Sequence, residues 1–229
     1  MVLVSHPHRF IFLKTSKTAG TSVEMALEHA CAAKGHVAVE KTPTRMSKHG
    51  VIGSRVWPHE IPKQPALEKG MWVNHKSAED VRNDLGAIRF DKYTKFTTVR
   101  DPFDRCVSTF HWENPKTVLA AKNFADLRHG FQDFIRSKKW KTDRKNVIID
   151  GKFIINRVVR FEHLLDDLSL VAHDLGVAVN INAMPHKKST AESRKDYAVA
   201  DYFDQECIDI VRKRSAWLFE FCHYAERPS

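Results

Sequence analysis

The sequence predicts an α/β protein with a mainly parallel central sheet. Three observations carry that expectation: short apolar runs, cap-rich loops that follow them directly, and helical patterns that begin where those loops end. The first such join lies in Arg9 to Ala33. Phe10, Ile11, Phe12 and Leu13 suit a strand covered on both faces. Val23, Ala26, Leu27 and Ala30 recur at helical intervals, with Thr21 as the expected N-cap and Glu24 in a capping-box position.

Between them lies Lys14-Thr15-Ser16-Lys17-Thr18-Ala19-Gly20. A strand that turns directly into a helix collects backbone N–H groups and the positive end of the helix dipole at one place, so this loop is expected to hold a phosphate. It is not the nucleoside-triphosphate loop, which places its lysine after the second glycine, because Lys17 precedes the only glycine here.

The rest of the chain reads as one domain over residues 1–229, large enough to bury a full core. Residues 35–70, rich in proline, glycine and basic residues, form an expected irregular insertion of the kind that often covers a substrate. Met71-Trp72-Val73 reads as a short strand, Ser77 to Leu85 as a helix ended by Gly86, and Tyr93 to Val99 as a strand. A helix follows through Trp112 and another spans Phe124 to Ile135. Asp150-Gly151 marks a hairpin within Asn146 to Phe161; Leu164 to Leu175 is a helix closed by Gly176, and Asp201 to Phe221 is expected as one final helix.

The second join, Lys95 to Trp112, reads KFTTVRDPFDRCVSTFHW. Asp101 is a cap-type residue and Pro102 fits the first helical position. Arg100 at the strand end and Ser108 on the second helical turn can converge on one dianionic phosphate, the guanidinium by a forked contact and the hydroxyl by a directed one.

Charge agrees with anionic partners. Lys plus Arg number 37 against 28 Asp plus Glu, a net charge of +9, which fits a nucleotide, a polyanion, an acidic membrane or nucleic acid. Cys31, Cys106, Cys207 and Cys222 form no C-x-x-C pair, so neither a zinc site nor a disulfide framework is indicated and a reducing compartment fits best. No stretch approaches the apolar length of a membrane span.

Lys17-Thr18-Ala19-Gly20-Thr21-Ser22 resembles the 5′-phosphosulfate loop of the sulfotransferases, which use 3′-phosphoadenosine 5′-phosphosulfate (PAPS), and its spelling is closest to the carbohydrate (heparan and chondroitin) branch. Arg100-Asp101-Pro102-Phe103-Asp104-Arg105 through Ser108 is similar to that family's 3′-phosphate motif, with Asp101 where asparagine is commoner. Trp72 to Arg82, Val159 to Leu164 and Lys187 to Tyr224 resemble further segments of the branch, so the likeness covers most of the chain.

The resemblance implies a three-layer, P-loop-like α/β/α fold and transfer of a sulfuryl group from PAPS to a hydroxyl acceptor, with 3′-phosphoadenosine 5′-phosphate (PAP) as product and no metal. It assigns Lys17, Thr18, Ala19, Gly20, Thr21 and Ser22 to the 5′ end of the donor, and Arg100 and Ser108 to its 3′-phosphate. Lys17 is expected to neutralise the bridging oxygen. His75, which matches the branch's catalytic histidine segment, is the expected base, with His111 the runner-up. Lys188, Ser189 and Arg194 belong to a basic loop that could meet the donor or the acceptor, or simply be solvated. The branch favours a sugar or glycan as acceptor. The family's Golgi members carry a membrane anchor, and a chain with no span reads as cytoplasmic, with nucleic acid not expected as a partner. Two other readings compete: a nucleotide kinase, which would need a lysine after the loop glycine, and a basic polyanion- or nucleic-acid-binding protein, which would need a concentrated basic face.

Overall fold

In a computed structural model, which describes residues 2–56, 72, 75–179, 184, 194 and 197–229, Val2–Ser5 (β1) and Phe10–Leu13 (β2) are four-residue strands with every side chain buried. A loop leads from β2 into Gly20–Leu27 (α1), followed by Arg45–Ser47 (β3) and Gly50–Ile52 (β4). Ala78–Leu85 (α2), Ala87–Lys92 (α3) and Thr94–Val99 (β5) come next. Pro102–Glu113 (α4), Pro115–Ala120 (α5) and Phe124–Arg136 (α6) form a helical run. Ile148–Ile149 (β6), Lys152–Phe153 (β7), Arg157–Arg160 (β8) and Leu164–Asp174 (α7) follow, and Gln205–Arg214 (α8) and Ala216–Cys222 (α9) close the chain. No helix among the described residues is long and apolar enough to cross a membrane.

Contacts group these elements into two units, one from the described residues of 1–98 and 145–187, the other from those of 99–144 and 188–229. The first contains a six-stranded sheet in the order β3-β4-β1-β2-β5-β8. The sheet is mixed: β2 and β5 are parallel, with Phe10 opposite Thr94 and Phe12 opposite Phe96, while β1 runs antiparallel to both β2 and β4. A parallel pair needs a long crossover, and here it contains α1, α2 and α3.

The alternation of side chains divides the apolar run between two cores. Phe10 and Phe12 join Leu3, Ile52, Phe96 and Val159 on one face, against Val23 and Leu27 of α1 and Leu168 and Val171 of α7. Ile11 and Leu13 join Val2, Val4 and Val51 on the other, against Ala78, Val81 and Leu85 of α2, Phe90 of α3, and Trp72. The first unit is thus helix on sheet on helix, the predicted α/β architecture. Each such fully buried side chain contributes about 1.5–3 kcal/mol, which is how strands this short hold together.

Several expected elements stand as read. Asp150 (φ 49°) and Gly151 (φ 75°) make a two-residue turn that pairs Ile149 with Lys152, because only residues that tolerate positive φ match the strand twist. Gly176 (φ 63°) follows α7, with Val177 N–H bonded back to Ala172.

Others are corrected. β1 was not foreseen. Of the segment read as irregular, the described part contains β3 and β4, and β4 extends the sheet by pairing with β1. Gly50 (φ 148°) is required there, since a Cβ would lie 1.9 Å from the Val4 carbonyl oxygen. The single final helix is two helices broken at Ser215, whose carbonyl accepts from Leu218 N–H, with a separate 3-10 turn at Val199–Tyr202. The strand read at Met71-Trp72-Val73 falls outside the described residues apart from Trp72, which is buried.

The second unit has its own core. Phe103, Cys106, Val107 and Phe110 of α4 pack with Leu127, Phe131 and Ile135 of α6, Tyr202 and Phe203, and Cys207 and Val211 of α8. Phe131 meets the rings of Phe110, Tyr202 and Phe203 edge-on, at centroid separations of 4.8–5.6 Å, the geometry aromatic quadrupoles prefer.

Candidate active site

In the first unit, the loop between β2 and α1 is held by its own side chains. Lys14, buried, donates from Nζ to Thr21 Oγ1 at 2.8 Å and to Glu24 Oε2 at 2.9 Å. Thr15 donates to the Thr98 carbonyl at 2.5 Å, and Thr18 Oγ1 lies 2.7 Å from Thr98 Oγ1 and 3.1 Å from Thr15 Oγ1. The loop is therefore tied at one end to the C-terminal part of β5 and at the other to the first turns of α1.

The expected N-cap is corrected by this arrangement. Thr21 lies inside α1 and accepts from Lys14, while the N-cap is Ala19, in left-handed conformation (φ 57°, ψ 15°) and with no side chain able to bond the helix. Ser22 N–H turns back to Ala19 O at 2.9 Å. The N–H groups of Gly20 and Thr21, at the first two helical positions, have no acceptor within the helix. Lys17 is half-buried and also left-handed (φ 60°). Two non-glycine departures of this kind, at Lys17 and Ala19 on either side of Thr18, cost about 1–2 kcal/mol each and persist only where surrounding bonds over-determine them.

Gly20 lies beneath the Lys14 stem: an added Cβ would meet Lys14 Cγ at 2.7 Å. Lys14 is committed to Glu24, and Lys17 is the second lysine of the loop. Thr18, Ala19, Gly20, Thr21 and Ser22 share the same turn.

Behind α1, a second buried charge group was not foreseen. Glu28 receives His36 Nε2 at 2.8 Å and Arg55 Nη2 at 2.5 Å, and Arg55 also donates to the carbonyls of Val39 and Glu40. These bonds fasten the 36–55 segment to the end of α1, and no spacing rule in the sequence signals a partner 27 residues away.

His75, also in the first unit, is half-buried and left-handed (φ 58°), just before α2. Ser77 caps that helix by accepting from Asp80 N–H at 3.1 Å. Lys76 pairs with Asp84 at 2.6 Å.

In the second unit, Arg100 is buried and donates from Nε to Asp104 Oδ2 at 2.6 Å. Asp101 caps α4, accepting from Phe103 N–H at 2.9 Å and Asp104 N–H at 2.8 Å, and Pro102 stands at the first helical position as expected. Arg194 Nη1 also bonds the Asp104 carboxylate, so one carboxylate sits between two guanidinium groups. Ser108 is buried on the second turn. Arg105 forms a buried pair with Asp143 at 3.0 Å. His111, the runner-up base, is buried 3.2 Å from the Tyr202 hydroxyl, and burial first, then the Arg194 charge, lowers its pKa to about 4. Lys188 and Ser189 lie outside the described residues. Burial pushes the thiols of Cys106, Cys207 and Cys222 up to about 12, so they are poor nucleophiles at neutral pH.

A sheet covered by helices on both faces, with a lysine-bearing loop leading from β2 into α1, places the first unit in the α/β class. The model of the sulfotransferase family matches residues 1–224, and the chain belongs to that family. Comparison with curated proteins and with solved structures found no match.

Proposed function

We propose that the protein transfers the sulfuryl group of PAPS to a hydroxyl acceptor, with a sugar hydroxyl as the favoured class. The observation that carries this reading is the start of α1, where a left-handed Ala19 supplies no side-chain cap and the loop is braced by Lys14, Thr15 and Thr18. Such a site suits the 5′-phosphosulfate end of the donor. Arg100 and Ser108 supply the side-chain chemistry for its 3′-phosphate, and membership of the sulfotransferase family supports the donor in general terms.

In this scheme His75 takes the proton of the acceptor hydroxyl as that oxygen forms its bond to sulfur. The sulfur–oxygen bond to the 5′-phosphate breaks, and its electron pair leaves with the phosphate. Lys17 and the N–H groups of Gly20 and Thr21 offset the charge that grows there, an electrostatic and positional contribution like that in phosphoryl transfer.

Isothermal titration with PAP beside 5′-AMP, ATP with Mg²⁺ and a nucleic-acid oligomer tests the reading. Clear preference for the 3′,5′-bisphosphate is expected. Tighter binding of ATP or of the oligomer would overturn the reading in favour of a kinase or a polyanion-binding protein.

A further inference from the structure

We infer that Asn146 is a positioning residue for His75, an inference that rests on the reading of His75 as the base. Asn146 is 1% exposed, at the end of a 3-10 turn over Arg144–Asn146 that leads into the β6–β7 hairpin. Its Nδ2 donates to the carbonyl of Lys76 at 3.0 Å, across 70 residues of sequence, within the first unit. That carbonyl belongs to the residue that follows His75.

The bond matters because His75 holds a left-handed backbone conformation that residues with a Cβ adopt uncommonly. Such a conformation persists only where the surrounding structure over-determines it. On the C-terminal side, Ser77 caps α2, and α2 is packed into the core through Ala78, Val81 and Leu85. Lys76 is held by the ion pair to Asp84 and lies over the ring of buried Trp72, 5.8 Å from its centroid. Asn146 adds the bond to the Lys76 carbonyl, from a turn followed by Ile149, Ile154 and Ile155, which pack against the same core. The other end of the amide, Oδ1, is buried and bonds none of the described residues, so among them the amide is anchored through Lys76. Asparagine is required in this role, since an aspartate would set a carboxylate against a carbonyl oxygen.

The arrangement predicts that Asn146 affects turnover through His75 alone. The test is a cycle of wild type, Asn146→Ala, His75→Ala and the double variant, followed by single-turnover sulfuryl transfer from PAPS to desulfated glycosaminoglycans and by PAP titration. Asn146→Ala is expected to lower turnover about ten- to a hundredfold, as displacement of a catalytic group does, with PAP affinity within about twofold of wild type. In the His75→Ala background the same change should do nothing more. Equal losses in both backgrounds would overturn the inference while leaving His75 as the base. Full activity of His75→Ala would overturn both.

A readout independent of activity uses protein labelled at histidine, with the His75 imidazole signal assigned by its loss in His75→Gln. In Asn146→Ala and Asn146→Asp the His75 signal is expected to move and that of His111 to stay. An unmoved His75 signal, or equal movement of both, would sink the inference.

Discussion

The two strand–turn–helix joins look alike in the sequence and are capped in opposite ways. At α4, Asp101 occupies the first helical donors with its own carboxylate, and Pro102 removes another N–H altogether. At α1, the N-cap is a left-handed alanine whose side chain makes no bond, and the hydroxyl of Thr21 is bonded to Lys14. On the proposed reading the α1 start receives the external anion on its backbone. The α4 start cannot, and any phosphate bound there must be met by side chains such as Arg100 and Ser108. One join offers dipole and amides; the other offers guanidinium and hydroxyl.

The largest effect that would break this contrast is loss of the brace under α1. Glu24→Ala leaves the Lys14 ammonium buried without its carboxylate, and removing one partner of a buried pair is expected to cost about 3–5 kcal/mol, read as a lower urea midpoint. A variant as stable as wild type would mean that the loop is not held by this pair. In the second unit the corresponding weakness is His111. Its pKa is lowered from an ordinary 6.5 to about 4, so the unfolded chain binds the proton more readily than the folded one. Stability from this group is complete above pH 6.5 and falls as pH drops from 6.5 towards 4, by up to about 3 kcal/mol. His111→Gln should flatten that part of the pH–stability profile; an unchanged slope would assign the acid sensitivity elsewhere.

Next in size are the charges assigned to the donor. Lys17→Ala and Arg100→Ala are each expected to weaken PAP binding by about 1.5–3 kcal/mol, the worth of a charge-assisted contact. Titration of PAP against 5′-AMP sharpens the contrast: Arg100→Ala should erase the preference for the 3′-phosphate, whereas Lys17→Ala should weaken both ligands. Equal losses for both ligands in Arg100→Ala would remove it from the 3′-phosphate role.

What was legible in the sequence follows from which physics is local. The apolar run 10–13, the Asp150-Gly151 turn and the Asp101-Pro102 start depend on neighbours in the chain, and each could be read from residue types. Thr21 reads as a cap because it is a hydroxyl residue three positions before Glu24, whereas the fold places it inside α1 and a bond from Lys14, seven positions earlier, engages its hydroxyl. β3 was missed because Arg45, Met46 and Ser47 are all exposed and show no alternation; the strand exists because β4 pairs with both it and β1. The partners of Glu28, Arg105 and Asn146 lie 27, 38 and 70 residues away. Composition shows that such polar residues exist, and only the fold shows which of them meet. Lys17 and His75 are legible from motif spelling; that both are left-handed is not, since a positive φ away from glycine is fixed by surrounding bonds rather than by residue type.

The smallest expected effect is also the one that isolates the contrast. Asp101→Ala removes a cap that bonds two N–H groups and should cost about 1 kcal/mol of stability, with PAP affinity little changed because those donors are not needed for the ligand. Ala19→Asp does the converse. It places a carboxylate at the open start of α1, at a position where left-handed backbone is tolerated better by aspartate than by alanine, so stability should hold or rise slightly. The new charge then competes with the anion for the same dipole and amides, and PAP affinity should fall about fivefold, close to 1 kcal/mol. The outcome that would sink the contrast is the reverse pattern, with Asp101→Ala weakening PAP and Ala19→Asp leaving it untouched. Binding of the phosphosulfate end would then depend on α4 rather than on α1.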